Sequence, residues 1–450
     1  MSNTEQSQKK YKSLSARTYN LQNRLANQSQ TEERRKHWDI YKYLYDPYFL
    51  AEALKLVLSN KGSAGVDRVT VESLKGIEWD FCVSLSKKIR DKRYTPSAVR
   101  RVYIPKQDGR KRPLGIPTIE DRVVQRALVL LMEPIYEQRF LPCSYGFRPN
   151  QRAQTCVAEM AEAVYKHRYV LEADIEGFFD NVDHKLLLKM IKKEIVDTRV
   201  LKLIRSILKA GFMETKKPWE PTLKGTPQGG PLSPLLANIY LHYGLDERFK
   251  ALNTSYVKLY RYADDFVIVC KKREDVQALK KMVEVWMGEV GLRLKAEKTK
   301  IVDMRNSERS HASKFDFLGF KIHLRSFRDN PKRFWIARQP SEKARKNLNL
   351  ALKKKLSPQL KLTEAKKMAE SVWRGWGNYF RYGNASRIFF RQVRSVKRAL
   401  IHYLRQKYRK TRRPIPWRKL LKLFGFLARD IRPIRSIPDS FRQKQQSMLF

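Results

Sequence analysis

Two adjacent aspartates, Asp264 and Asp265, stand between two β-prone runs, Leu259-Tyr-Arg-Tyr262 before them and Phe266-Val-Ile-Val269 after. The spacing predicts two strands between Val257 and Cys270 that meet at the acidic pair. An Asp-Asp pair at a hairpin tip can be a hydrated turn. The apolar flanks weigh against that reading, because buried strands would hold both carboxylates against a core surface, which is costly unless they hold cations. Far upstream, Tyr169-Val-Leu-Glu-Ala-Asp174 reads as another strand that closes on an acid. Three carboxylates at strand ends, drawn from distant segments, suit a two-Mg²⁺ site. One ion would activate a 3′-hydroxyl and the other would neutralise a triphosphate and its leaving pyrophosphate. No His/Cys cluster lies nearby, which argues against zinc.

Charge narrows the partners. The 450 residues include 94 Lys and Arg against 45 Asp and Glu, a net charge of +49. A surface this positive favours a polyanion, nucleic acid before an anionic membrane. With 42% apolar and 11% aromatic residues, the chain is not a disordered basic protein. Cys82, Cys143, Cys156 and Cys270 form no C-x-x-C pair, so neither a zinc module nor a disulfide framework is expected, and a reducing compartment is. The first residues contain no apolar h-region, and no apolar stretch approaches the ~18 residues of a membrane span. The expected protein is soluble and intracellular, with no membrane partner.

Along the chain, residues 1–47 read as a basic, flexible arm, with a helix from Thr31. Tyr103-Ile-Pro-Lys106 and Leu114-Gly-Ile-Pro117 flank Gln107-Asp-Gly-Arg110, a hairpin signature. Helices are expected over Arg122–Tyr136, His184–Ile195, Val200–Lys209, Leu235–Leu241 and Arg273–Gly288, with short strands at Phe315–Phe320 and Trp335–Ala337. After Ser341 the chain becomes helical, basic and aromatic. The resulting class is α+β followed by an all-helical end.

The ordered set Asp174-Ile-Glu-Gly-Phe-Phe-Asp180, Thr226-Pro-Gln-Gly-Gly-Pro-Leu-Ser-Pro234, Tyr262-Ala-Asp-Asp265, Gly291-Leu-Arg-Leu-Lys-Ala-Glu-Lys-Thr299 and Phe317-Leu-Gly319 resembles the motifs of reverse transcriptases. Gly62-x-x-Gly-Val-Asp67, Ile104-Pro-Lys106, Arg112-Pro-Leu-Gly-Ile-Pro117 and Ser144-Tyr-Gly-Phe-Arg-Pro149 resemble those of group II intron reverse transcriptases in particular. The resemblance spans residues 48 to 410. Each motif alone is weak or moderate; their shared order is specific.

The resemblance implies a right-hand polymerase: fingers and palm with an antiparallel sheet over residues 48–330, a helical thumb or maturase X domain over 335–410, and a basic tail over 411–450. It implies that Asp174, Asp264 and Asp265, with the Ile175 carbonyl, hold two Mg²⁺ ions, Mn²⁺ being able to substitute. Lys106 and Arg112 would clamp an incoming dNTP, a task that suits their charge and reach. Phe179 would clash with a ribose 2′-OH, Gln228 would lie beside nucleotide and template, and Lys298 would protonate pyrophosphate. Phe317, Leu318 and Gly319 would grip the primer, and Arg148 would touch the template backbone or a palm carboxylate.

Trp373-Arg-Gly-Trp-Gly-Asn-Tyr-Phe-Arg381 resembles the core of the maturase domain. On a helix Trp373, Trp376 and Phe380 fall on one face, which reads as core and leaves Arg374, Asn378, Arg381 and Tyr382 elsewhere. From residue 371 onward 21 Lys and Arg face only Asp430 and Asp439, so binding there should be phosphate-governed. Arg409, Lys410, Arg412 and Arg413 belong to that run, which can equally be a solvated basic stretch. The implied partners are group II intron RNA, an RNA template with a DNA primer, and target DNA met as a ribonucleoprotein. The resemblance further implies a bacterial cytoplasm with nucleoid association, an organellar origin remaining open. The implied function is an RNA-directed DNA polymerase that assists intron splicing. Without C-x-x-C pairs after the thumb, the HNH endonuclease of some group II intron proteins is not expected. A domesticated enzyme serving phage defence, repair or CRISPR acquisition would share the chemistry. A catalytically idle splicing factor fits the intact acidic and basic motif residues poorly.

Overall fold

A computed structural model describes residues 14–31, 36–105, 109, 111–214, 219–305, 313–327, 329–330, 333–409 and 424–427. The architecture is α+β with a helical C-terminal part, as expected. The chain divides into two compact units that interleave along the sequence. One contains Met1–Gln151, Asp174–Asn253 and Lys280–Ala296; the other contains Arg152–Ala173, Thr254–Leu279 and Glu297–Phe450.

The first unit is built on the helix Ile119–Tyr136, nearly all of which is buried. Thr118 caps it: its hydroxyl accepts from the Asp121 N–H at 3.1 Å and donates to Asp121 Oδ2 at 2.7 Å. The helix Pro47–Ser59 starts with Pro47 at its first turn and Asp46 as cap, and lays Phe49, Leu50, Ala53, Leu54 and Val57 against it. A three-stranded sheet of order β2-β1-β4 joins the hairpin β1 (Val99–Pro105) and β2 (Lys111–Ile116) to β4 (Phe212–Met213).

The described residues of the segment read as a flexible arm are structured. Ala16–Thr31 is a helix, ending where the sequence reading begins one. Its overall polarity hides a narrow apolar stripe: Leu21 and Leu25, four apart, are both buried. Beside them, Gln22 does specific work. Pro134 lies inside the central helix and has no N–H for the Leu130 carbonyl four residues back. Gln22 Nε2 donates to that carbonyl at 3.0 Å. Gln22→Leu should leave the carbonyl buried and unpaired, lowering stability by about 1–3 kcal/mol. A urea titration would read this as a lower midpoint at unchanged slope. An unchanged midpoint would show that the carbonyl does not need its partner.

The second unit holds a four-stranded sheet of order β5-β6-β3-β7: β3 Tyr169–Asp174, β5 Val257–Tyr262, β6 Asp265–Cys270 and β7 Lys300–Asp303. From Phe266 to Cys270 every residue of β6 is fully buried, as an unbroken apolar run demands of a strand covered on both faces. The helix Ala153–Lys166 packs on β5 and also on β10 of a second sheet, ordered β10-β9-β8 (β8 Lys314–Phe317, β9 Phe320–Ser326, β10 Phe334–Pro340). Three helices follow: Glu342–Lys355, Leu362–Phe380 and Ser386–Lys407. Trp373 is 2% exposed and stacks on Trp376 with ring centroids 5.7 Å apart; Phe389 from the next helix meets both rings. The aromatic stripe is therefore core. Among the described residues no helix is long and apolar enough to cross a membrane.

Candidate active site

In the first unit, the left-handed Gly177 turns the chain after Asp174-Ile-Glu176 into the short helix Phe178–Asn181. The turn sends the two phenylalanines to different places. Phe178 is 2% exposed and packs edge-on to Tyr240, with centroids 6.4 Å apart. Phe179 is half-buried and lines a cavity of about 410 Å³ with Arg101, Asp180 and Gln228. The loop carrying Gln228 is laced to this turn: Thr226 N–H donates to Phe179 O at 2.6 Å and Gly225 N–H to Val182 O at 2.7 Å. On its other side Gly115 of β2 donates to Gln228 O at 2.7 Å. Gly229, at φ +126°, must be glycine, because a Cβ there would sit 2.5 Å from the Gly115 carbonyl oxygen.

Side chains continue the link. Arg112 Nε donates to Gln228 Oε1 at 2.8 Å, and Gln228 Nε2 donates to Asp180 Oδ1 at 3.3 Å. Arg112, Gln228 and Phe179 are thus brought to one place. Asp180 joins them as a residue the sequence reading left without a role, although it closes the quoted motif. Lys106 lies outside the described residues, as do Lys410, Arg412 and Arg413.

The Gly291–Thr299 motif has a structural meaning. Lys295 N–H donates to Asp174 O at 2.8 Å and Glu176 N–H to Arg293 O at 2.9 Å, so this segment runs antiparallel to Asp174-Ile-Glu176. Ile175 faces Leu294 as the pair that does not exchange bonds, which leaves the Ile175 carbonyl out of the ladder. Lys298 is exposed and ends the short 3₁₀ turn Ala296–Lys298.

Of the two contacts expected of Arg148, template backbone or a carboxylate of the protein, the structure shows a carboxylate, that of Glu137. The Arg148 side chain is 8% exposed, and it donates to both Glu137 carboxylate oxygens at 3.1–3.2 Å and to the Leu141 and Ser144 carbonyls at 2.8 Å. A guanidinium so engaged pins its own loop.

In the second unit, β5 and β6 pair from Val257↔Cys270 to Tyr262↔Asp265, with Ala263 and Asp264 as a two-residue tip. Ala263 has φ +58°, an unfavourable value for a residue with a Cβ. Arg261 is 0% exposed and donates to the Ala263 carbonyl at 3.1 Å, so a buried cation braces the tip. Asp264 is half-buried and Asp265 exposed. β3, the neighbour of β6, runs to Asp174. Among the described residues no group of three or more His, Cys, Asp or Glu forms a metal cluster.

Leu318 and Gly319, both at positive φ, form the two-residue turn between Phe317 and Phe320, the geometry of a type I′ hairpin. The Tyr379 hydroxyl donates to Leu318 O at 3.0 Å, and Ser341 N–H donates to Gly319 O at 2.9 Å. Burial pushes the Tyr379 phenol up to about 12, so it stays a donor at working pH. On the same helix Arg374 pairs with Glu370 at 2.9 Å and Asn378 is exposed. Arg381 is half-buried beside the Tyr382 ring, and Arg409 is exposed.

Residues 104–322 match the family model described as reverse transcriptase (RNA-dependent DNA polymerase), and residues 343–422 match the group II intron maturase-specific domain. Protein YkfC of Escherichia coli is 31% identical, over 72% of this chain and 93% of its own length. The group II intron-encoded protein LtrA of Lactococcus lactis is 31% identical over 64% of this chain, which spans 57% of LtrA. An uncharacterised 91 kDa protein in the cob intron of Schizosaccharomyces pombe is 31% identical over 54% of this chain and 30% of its own length. The chain belongs to the group II intron-encoded reverse transcriptases, RNA-directed DNA polymerases that also carry a maturase domain.

Proposed function

We propose that this chain extends a DNA primer on an RNA template from dNTPs, with Mg²⁺ as its metal and Mn²⁺ as a substitute. The single observation that carries the nucleotide reading is the bonded series Arg112–Gln228–Asp180 beside Phe179. It links a cation on the hairpin to the amide of Gln228, which with Phe179 lines one cavity, and such side chains suit a charged, sugar-bearing ligand. Lys106 would share the triphosphate with Arg112. Phe179 would fill the space of a 2′-OH.

Asp174, Asp264, Asp265 and the Ile175 carbonyl would hold the divalent ions. The support is chemical: three carboxylates and a carbonyl make an oxygen-only donor set. When bound, such ions lower the pKa of a 3′-OH and offset the charge on leaving pyrophosphate. Lys298 Nζ would supply the proton to that leaving group. Phe317, Leu318 and Gly319 would hold the primer end through a turn that Tyr379 keeps in place.

The helical end would hold group II intron RNA through Arg374, Asn378, Arg381, Arg409, Lys410, Arg412 and Arg413, and would meet target DNA as a ribonucleoprotein in the cytoplasm or nucleoid. The test is primer extension on an RNA template with dNTP or rNTP. Phe179→Val should keep extension while raising rNTP use relative to dNTP by roughly 10–100-fold, the scale set by one pocket contact. Extension with unchanged sugar discrimination would remove Phe179 from the proposed pocket.

A further inference from the structure

His184 is buried at the start of the helix His184–Ile191, set there by Asp183, whose carboxylate caps the Leu186 N–H at 2.7 Å. Its Nε2 lies 2.6 Å from the Gly225 carbonyl oxygen. A carbonyl only accepts, so Nε2 carries the proton and donates. Nδ1 is buried with no partner among the described residues. The imidazole therefore has one directional bond, and that bond goes to the loop that forms a wall of the cavity.

Gly225 is the point where this wall is tied down. Its N–H donates to Val182 O, its carbonyl accepts from His184, and the next N–H, of Thr226, donates to Phe179 O. At φ +92°, a Cβ on Gly225 would lie 2.7 Å from the Phe179 carbonyl oxygen, so wall and aromatic turn approach as closely as two backbones can. Gln228 follows three residues later and reaches Arg112 and Asp180. The distance between the Phe179 ring and the Gly225–Gln228 wall thus depends on bonds made by Phe179 O, Val182 O and His184. Only the last comes from a side chain.

We infer that His184 is a positioning residue that sets sugar discrimination: by holding Gly225 it fixes the gap between Phe179 and Gln228 in which the nucleotide sugar must fit. The inference rests on the nucleotide reading of this cavity proposed above. His184 touches no reacting atom, so its effect should fall on nucleotide KM and selectivity.

The experiment compares wild type, His184→Phe and His184→Gln in single-nucleotide primer extension, with primer–template affinity and thermal unfolding measured alongside. His184→Phe keeps a ring and removes the donor. His184→Gln places an amide N–H at about the reach of Nε2. His184→Phe should raise the KM for dNTP and lower the dNTP/rNTP preference, each by roughly tenfold, as small misplacements of a binding wall do. Primer–template affinity should stay unchanged, and His184→Gln should recover most of both losses. A purely structural role would lower the unfolding temperature and all activities together, without selective recovery by Gln; that outcome overturns the inference. If His184→Phe fails to fold, the Gln variant decides: a wild-type KM and preference support the donor role, and a loss of preference at unchanged stability opposes it. If the wild type itself does not use dNTP, the nucleotide reading fails. If it does and a folded His184→Phe matches it, only the role of His184 fails.

Discussion

Asp264→Ala should abolish primer extension, with a rate loss of at least about 10³-fold, while RNA affinity stays near wild type. Removing a carboxylate proposed to hold a divalent ion should forfeit several kcal/mol of charge stabilisation, and each ~1.4 kcal/mol is tenfold in rate. The fold should tolerate the change. Asp264 lies in the two-residue tip outside the paired register, and one bond bracing that tip runs from Arg261 to the Ala263 backbone. RNA affinity should survive because the basic surface assigned to RNA is carried by the helices after Glu342. The check is extension kinetics beside a filter-binding titration at fixed salt. Loss of both functions with an unchanged unfolding profile would show that polymerisation and RNA binding share this residue.

Trp373→Ala should have the largest effect on stability. Trp373 is 2% exposed, stacks on Trp376 and meets Phe389 of the following helix, so its removal empties the centre of the helical end. Truncating a buried Trp to Ala costs about 3–5 kcal/mol. Its Nε1 has no partner among the described residues, so Trp373→Phe sacrifices no hydrogen bond and should recover most of the stability. Chemical denaturation followed by near-ultraviolet circular dichroism reads both variants. RNA affinity should fall with Trp373→Ala and return with Trp373→Phe, because Arg374 and Asn378 lie on the same helix and Arg381 caps its end. A loss below about 1 kcal/mol for the Ala variant would mean that the aromatic cluster is not the core of these helices.

Both predictions use features legible in sequence. The strands around Asp264-Asp265 are visible because an unbroken apolar run beside an acidic tip is a local pattern, and β6 is buried as that run requires. The pairing of β1 with β2 and the aromatic stripe of the maturase helix are local in the same way. The N-terminal helix was harder to see. Only Leu21 and Leu25 mark its buried side, and its clearest anchor, Gln22, is polar. A glutamine that serves a carbonyl orphaned by Pro134 has no signature, since donor and acceptor lie 108 residues apart.

By itself the sequence determined the family, the α+β class with its helical end, and the residue types of the catalytic motifs. Those follow from motif order, residue periodicity and charge, which are properties of neighbours along the chain. The tertiary structure alone decided how side chains are used. It spent Arg148 on Glu137, joined Arg112 to Asp180 through Gln228, placed Tyr379 under the Leu318 turn and turned His184 to Gly225. It also built each compact unit from segments far apart in sequence. The physical reason is common to all of these: a hydrogen bond acts over about 3 Å of space whatever the separation along the chain, and a one-dimensional pattern carries no record of which distant partner will lie within that reach.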